Sequence, residues 1–297
     1  MIRVLVTGSN GLLGQKLTAL LENDPGVSLI ATARKPGAPL KHGVFNTLDV
    51  TLQSDVDQVM SSVKPDVVIH TAAMTQVDQC ETDRDLCWLN NVTAVEYVAK
   101  ACERHGAHLV HLSTDFIFDG TYGPLDETAK PNPISHYGHS KLAAEELVMK
   151  ISTPWTIART VLVYGVTKDQ SRSNIILWVK KSLEEGKVIK VVTDQWRTPT
   201  LAEDLAKGCW LAASKKAKGV YNISGAETLT PYDIAIKTAD FFGLDKSLIE
   251  KTDASSFRQA AARPARTGFI IEKARKTLGY NPHTMNEGLA ILAGQLK

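Results

Sequence analysis

Cysteine is scarce in this chain of 297 residues. There are four, Cys80, Cys87, Cys102 and Cys209, and none stands in Cys-x-x-Cys spacing. That pattern excludes a disulfide framework and a thiolate zinc site, so the four read as reduced thiols and no metal site is expected. An excess of either charge is also missing. Lys and Arg number 34 against 32 Asp and Glu, without like-charge blocks or a basic stripe interleaved with aromatics, so no nucleic-acid or membrane-surface partner is expected. No run approaches the roughly 18 apolar residues of a membrane helix, and the chain opens on MIRVLVTG with no charged leader, which predicts a cytoplasmic protein. With 43% hydrophobic residues, the chain reads as globular, with a large core and a small-molecule partner.

In the first half, short apolar runs alternate with amphipathic stretches. IRVLVT (2–7), VSLIATA (27–33), DVVIH (66–70), AHLVHLS (107–113) and WTIARTVLVYG (155–165) read as strands covered on both faces. The segments between them carry helical periodicity, one closed by the glycine of His105-Gly106. Strand alternating with helix predicts an α/β fold with a doubly wound parallel sheet. Beyond residue 165 come a helix (173–186), a strand KVIKVV (187–192), a loop, a helix (201–215), a strand GVYNIS and a polar helical tail. The expected division is residues 1–165 plus about 187–223 as a dinucleotide-binding domain, with 166–186 and 224–297 as a smaller C-terminal substrate-binding lobe.

Two motifs carry chemistry. VTGSNGLLGQKL places Gly8, Gly11 and Gly14 between the first strand and the first helix. Gly8 permits a tight turn, Gly11 lets backbone N–H groups approach a pyrophosphate, Gly14 lets helix and strand pack closely, and the helix start faces the phosphates. Tyr137 and Lys141, in ISHYGHSKLAAEEL, lie one helical turn apart and so share a face. A free phenol near pKa 10 is a weak acid–base catalyst at neutral pH, and a neighbouring cation favours its ionised form. Together the motifs resemble the extended short-chain dehydrogenase/reductase superfamily, with its Rossmann-like sheet. STDFIFDG (113–120), VIHTAAMTQVDQCE (68–81), VVTDQWRTPT (191–200) and ARPARTGFIIEKARKTLGY (262–280) are similar to the dTDP-4-dehydrorhamnose reductase family, and the likeness spans nearly the whole chain.

The resemblance implies reduction of a 4-keto group on a nucleotide-linked 6-deoxyhexose, most specifically dTDP-4-dehydro-L-rhamnose, with Tyr137 as proton donor and Lys141 tuning it and holding the nicotinamide ribose. The hydroxyl that orients the carbonyl is Thr114, with Ser113 as second candidate. It implies cofactor contacts at Gly8, Asn10, Gly11, Leu12, Leu13, Gly14, Asp49, Val50, Ala72, Ala73 and Thr75, and at Asn91, where Asn90 or Asn91 is alternatively a structural asparagine. Arg34 and Lys35 follow the second strand with no carboxylate at its end, which favours NADPH while leaving NADH usable. Thr114, Asp115, Asn174 and Trp196 are implied at the sugar, and Arg197, Arg263 and Arg266 are candidate cations for its diphosphate. Val161 and Leu162 stand where the family carries Ser-Trp, and Trp196-Arg197 replaces smaller residues. An epimerase or dehydratase, and a non-catalytic regulatory subunit like that of methionine adenosyltransferase, remain alternatives, and a homodimer is left open.

Overall fold

The computed structural model describes residues 1–37, 39–168 and 174–296. β1 (Ile2–Thr7) feeds α1 (Leu12–Leu21). β2 (Val27–Ala33) and β3 (Val44–Thr47) precede α2 (Gln53–Val63). β4 (Val67–His70) leads through α3 (Val77–Thr82), α4 (Arg84–Trp88) and a π-helical turn (Leu89–Thr93) into α5 (Ala94–His105). β5 (His108–Thr114) ends in a 3-10 turn, Asp115–Ile117, followed by a loop, α6 (His136–Val148) and β6 (Trp155–Thr160). The remainder comprises β7 (Val163–Tyr164), α7 (Ile175–Glu184), β8 (Ile189–Val192), β9 (Thr200–Leu201), α8 (Ala202–Ser214), β10 (Gly219–Asn222), α9 (Pro231–Phe242), β11 (Ile249–Thr252), α10 (Glu272–Leu278) and α11 (Met285–Gly294).

Among the described residues, seven strands form one sheet in the order β10-β6-β5-β4-β1-β2-β3, every pair parallel. Because successive strand side chains point to opposite faces, the apolar run of β1 serves two cores at once. Val4 and Val6 pack with Leu17 and Leu21 of α1 and Leu205 and Cys209 of α8. Leu5 packs on the other face with Val56 and Val59 of α2 and Val95 and Val98 of α5. Each such side chain, fully buried, contributes roughly 1.5–3 kcal/mol. This is the doubly wound α/β architecture expected from the strand and helix rhythm.

Three expectations need correction. The strand read as continuous over 155–165 stops at Thr160, since Leu162 takes a left-handed backbone (φ +39°) that no extended strand accommodates. Val163–Tyr164 then pairs with Thr200–Leu201, outside the main sheet. Ile189–Val192, assigned with the larger domain, pairs instead with Ile249–Thr252, and its Ile189 and Val191 pack on Val179 of α7 and Ala235 and Ala239 of α9. Conversely Ile271, Ala274, Leu278 and Tyr280, assigned to the smaller lobe, lie in the core of the main sheet beside α8. The helix expected from 173 runs Ile175–Glu184, and Ser173 lies outside the described residues. Among the described residues no helix is long and apolar enough to cross a membrane.

One buried ion pair fixes α6 to the sheet. Arg159 of β6 donates to both carboxylate oxygens of Glu145, at 3.0 and 2.6 Å, with the side chains 4% and 0% exposed. Removing one partner of such a pair strands a charge and costs about 3–5 kcal/mol, whereas replacing both by apolar groups is close to neutral. Arg159→Met is therefore expected to destabilise the fold by about that amount. Adding Glu145→Leu should restore most of the loss. Urea unfolding of the single and double variants measures this, and equal stabilities for the two would contradict it.

Candidate active site

Strand order reverses between β1 and β4, and ligands of such sheets bind at the carboxyl ends of the strands where this happens. A cavity of about 990 Å³ opens there. One wall is the turn from β1 into α1, where Gly8, Asn10, Gly11, Leu12, Leu13 and Gly14 all line the space. Gly8 has φ +67°, and a Cβ on it would stand 2.8 Å from the Ala72 nitrogen. A Cβ on Gly14 would collide with the Gly8 carbonyl oxygen and stand 2.6 Å from the Ser9 Cα. Gly11 is different: its nearest neighbour would be the Gly8 oxygen at 3.2 Å, so its missing side chain leaves room on the cavity side.

The next loops continue the wall. Asn10 donates through Nδ2 to the Lys35 carbonyl at 2.8 Å, tying the glycine turn to the loop after β2, and Arg34 and Lys35 line the cavity there. Asp49 and Val50 follow after β3. Asp49 also shapes its own turn, accepting from the Thr51 N–H at 3.0 Å and hydroxyl at 2.7 Å. Ala72, Ala73 and Thr75 close this side from the loop after β4.

The opposite wall comes from β5, α6 and Asn174. Thr114, Asp115, Tyr137, Lys141 and Asn174 all border the cavity. Ser135 caps α6, accepting from the Gly138 N–H at 3.2 Å, so Tyr137 sits in the first turn and Lys141 one turn on. Burial pushes the Tyr137 phenol well above a free tyrosine, with a hydrogen bond to Thr114 acting against it, and the ring meets Phe116 edge-on at 5.6 Å. Lys141, 3% exposed, donates to the Leu112 carbonyl at 2.6 Å and faces His111 Nε2 at 3.3 Å. Burial lowers its pKa to about 8, with Glu145 pulling the other way, so the ammonium is mostly charged at neutral pH. His111 stacks on His70 at 5.7 Å, and burial keeps both imidazoles neutral, His70 pushed down to about 3.

Several expected ligand contacts fall elsewhere. Asn91, carried as a cofactor contact, is fully buried and structural: it accepts from the Met74 N–H at 2.9 Å and donates to the Met74 carbonyl at 3.0 Å and the Ser140 hydroxyl at 3.1 Å. The π-helical turn directs Asn90, not Asn91, to the cavity. Arg197 is 5% exposed and consumed by carbonyls, donating to Pro264 at 2.6 Å, Trp196 at 2.8 Å and Ala265 at 3.0 Å. Arg263 pairs with Asp78 at 2.6 Å, and the exposed Arg266 lies over the Trp196 ring at 4.4 Å. Trp196 and Arg266 border a separate hollow of about 180 Å³. Phe116 lines the main cavity unforeseen, and Leu162, which stands where the family carries tryptophan, lines it as well.

A family model described as RmlD substrate binding domain matches residues 2–297. The chain belongs to the dTDP-4-dehydrorhamnose reductase family. It is 29% identical to the dTDP-4-dehydrorhamnose reductase of Aggregatibacter actinomycetemcomitans over 97% of each chain. It is 33% identical to methionine adenosyltransferase 2 subunit beta of Xenopus laevis, over 82% of this chain and 73% of that one. Among solved structures, the dTDP-4-dehydrorhamnose reductase of Bacillus anthracis str. Ames in complex with NADP superposes with a TM-score of 0.86 at 29% identity, covering 99% of this chain and 100% of that one.

The glycine turn of this family member makes a contrast testable without any ligand. Gly14→Ala should cost about 1–3 kcal/mol through overpacking against backbone. Gly11→Ala should leave the thermal midpoint within a few degrees. Calorimetry of both apo variants reads the difference, and equal melting would contradict the packing described for Gly14.

Proposed function

We propose that the chain is an NADPH-preferring reductase of a keto group on a nucleotide-linked sugar, with the 4-keto group of a dTDP-linked 6-deoxyhexose, dTDP-4-dehydro-L-rhamnose, as its specific substrate. The observation that carries this reading is the convergence, in one cavity, of the glycine cradle with Thr114, Tyr137 and Lys141. The residues present fit a dinucleotide. A Cβ-free face at Gly11 and the α1 N-terminus suit a pyrophosphate, and Arg34 and Lys35 suit the 2'-phosphate that distinguishes NADPH from NADH. When bound, the nicotinamide supplies a hydride.

The chain's own residues supply the rest. Tyr137, kept protonated by burial, is an acid ready to give its O–H proton to the oxygen that becomes an alcohol. Lys141, a cation with few protein partners, attracts the cofactor's ribose hydroxyls and steadies the phenolate left behind. Thr114 presents its oxygen to the same cavity, and Leu162 and Phe116 form apolar walls that exclude water. With Arg197 and Arg263 paired, Arg266 is the candidate among the three arginines for the sugar nucleotide's diphosphate.

The Xenopus laevis relative favours a second reading, a regulatory subunit that binds the dinucleotide without turnover. Nicotinamide absorbance, followed with NADPH and a panel of 4-keto nucleotide sugars, separates the two. Oxidation with the dTDP-linked 4-keto-6-deoxyhexose is expected, and Tyr137→Phe should reduce kcat by about 10²-fold or more while NADPH still binds. Oxidation with no sugar in the panel, alongside normal NADPH binding, would overturn the reductase reading.

A further inference from the structure

We infer that Asp115 is a positioning residue: its carboxylate sets the direction of the Thr114 hydroxyl and links that direction to the docking of the loop around residues 264–267. This rests on the reductase reading for its effect on turnover, and on geometry alone for the contact itself.

Asp115 opens the 3-10 turn after β5 and is 2% exposed. Thr114 Oγ1 donates to Asp115 Oδ1 at 3.1 Å, and the same oxygen accepts from the Phe116 N–H at 3.3 Å. A threonine hydroxyl has a single proton. With that proton given to Asp115, the Thr114 oxygen meets the cavity, which Tyr137 also lines, as an acceptor only. Thr114 therefore presents a lone pair of fixed direction to any O–H that enters the cavity, and has no second proton for a substrate carbonyl.

The other carboxylate oxygen belongs to the second lobe. Asp115 Oδ2 accepts from the Thr267 hydroxyl and lies 3.7 Å from Arg197 Nε. Arg197 is itself clamped by the Pro264 and Ala265 carbonyls, and the Arg266 N–H donates to the Gly120 carbonyl at 3.1 Å. One carboxylate thus joins the Thr114 hydroxyl at the cavity wall to a loop carrying Arg266. During turnover the Tyr137 O–H bond breaks and a substrate O–H bond forms. Asp115 keeps its charge and exchanges no proton.

Burial raises the Asp115 carboxyl, with Arg197, Thr267 and Thr114 all acting against that rise. The charged and titratable groups around it are Arg197, with Arg263 beyond, and Tyr137, which Cys80 and Cys87 face from the other side. As pH falls through the Asp115 pKa, the new carboxylic acid donates to Thr114 instead of accepting, and the fixed direction of the Thr114 hydroxyl at the cavity is lost. An acid limb in kcat follows.

The test uses the full chain. Carbon-13 NMR of labelled aspartate follows the Asp115 titration in wild type, Thr114→Val and Thr267→Val, with Asp115→Asn assigning the signal. Each threonine donor stabilises the carboxylate, so its removal should move the titration to higher pH. In turnover, the acid limb of kcat should move up in Thr267→Val and vanish in Asp115→Asn, with kcat down about tenfold or more and NADPH affinity within twofold. Cys87→Ala should keep the limb in place. If Asp115→Asn fails to fold, the loss of its signal is replaced by the Thr267→Val shift in both measurements. An Asp115 titration unmoved by either threonine variant overturns the inference, as does an acid limb that stays put in Thr267→Val. NMR shifts as expected with no sugar reduced would instead overturn the reductase reading and leave the contact standing.

Discussion

Helix α6 buries ionisable groups on one face at a spacing of four. Tyr137, Lys141 and Glu145 are all buried, and burial outweighs the pull of Glu145 enough to lower the pKa of the Lys141 ammonium to about 8. The helix tolerates this because each group has a partner. Glu145 takes Arg159, Lys141 takes the Leu112 carbonyl, and Tyr137 takes Thr114. The Glu145–Arg159 pair anchors the far end of the row, and Glu145 in turn supports the charge on Lys141. A phenol beside a cation is held at the cavity wall by the same contacts that dock the helix.

The rest of the site is arranged around that row. Asn91 clamps the Met74 backbone to Ser140, so the loop carrying Ala72, Ala73 and Thr75 is fixed to the helix that carries Lys141. On the other side, Asp115 receives Thr267 and stands beside Arg197, which brings the loop around residues 264–267 to the end of β5. Two buried polar networks therefore hold the two walls, and in them Asn91 and Arg197 spend their side chains on other parts of the protein. Buried polar groups are seldom left without partners, and here the partners belong to the protein.

Legibility in the sequence followed the range of the forces. Strands β1, β2, β4 and β5 are near-continuous apolar runs and are plain in the chain, as is the glycine turn, because both depend on local chemistry. Gly8, Gly11, Gly14, Tyr137 and Lys141, which line the cavity, were marked by motif spacing, Arg34 and Lys35 by their place after the second strand, and Thr114 by the family resemblance. What stayed hidden depends on contacts distant in sequence. An arginine looks equally suited to phosphate or to carbonyls, and only the approach of residues 264 and 265 consumes Arg197. A π-helical turn shifts the facing asparagine from 91 to 90, and a positive φ at Leu162 ends a strand whose composition would continue it. The pairing of Ile189–Val192 with Ile249–Thr252 spans too much chain to be read from either segment.

The proposed reaction brings a hydride to the carbon, and the Tyr137 proton to the oxygen, of one sugar carbonyl. Deuteride transfer tests it most directly: NADPH carrying deuterium at the transferable C4 position is incubated with the dTDP-linked 4-keto-6-deoxyhexose, and the product is analysed by mass spectrometry and NMR. One deuterium at sugar C4 is expected for each NADPH oxidised, with the new hydroxyl proton drawn from solvent through Tyr137. Deuterium at any other carbon, or intact NADPH beside bound and unreduced nucleotide sugar, would contradict it.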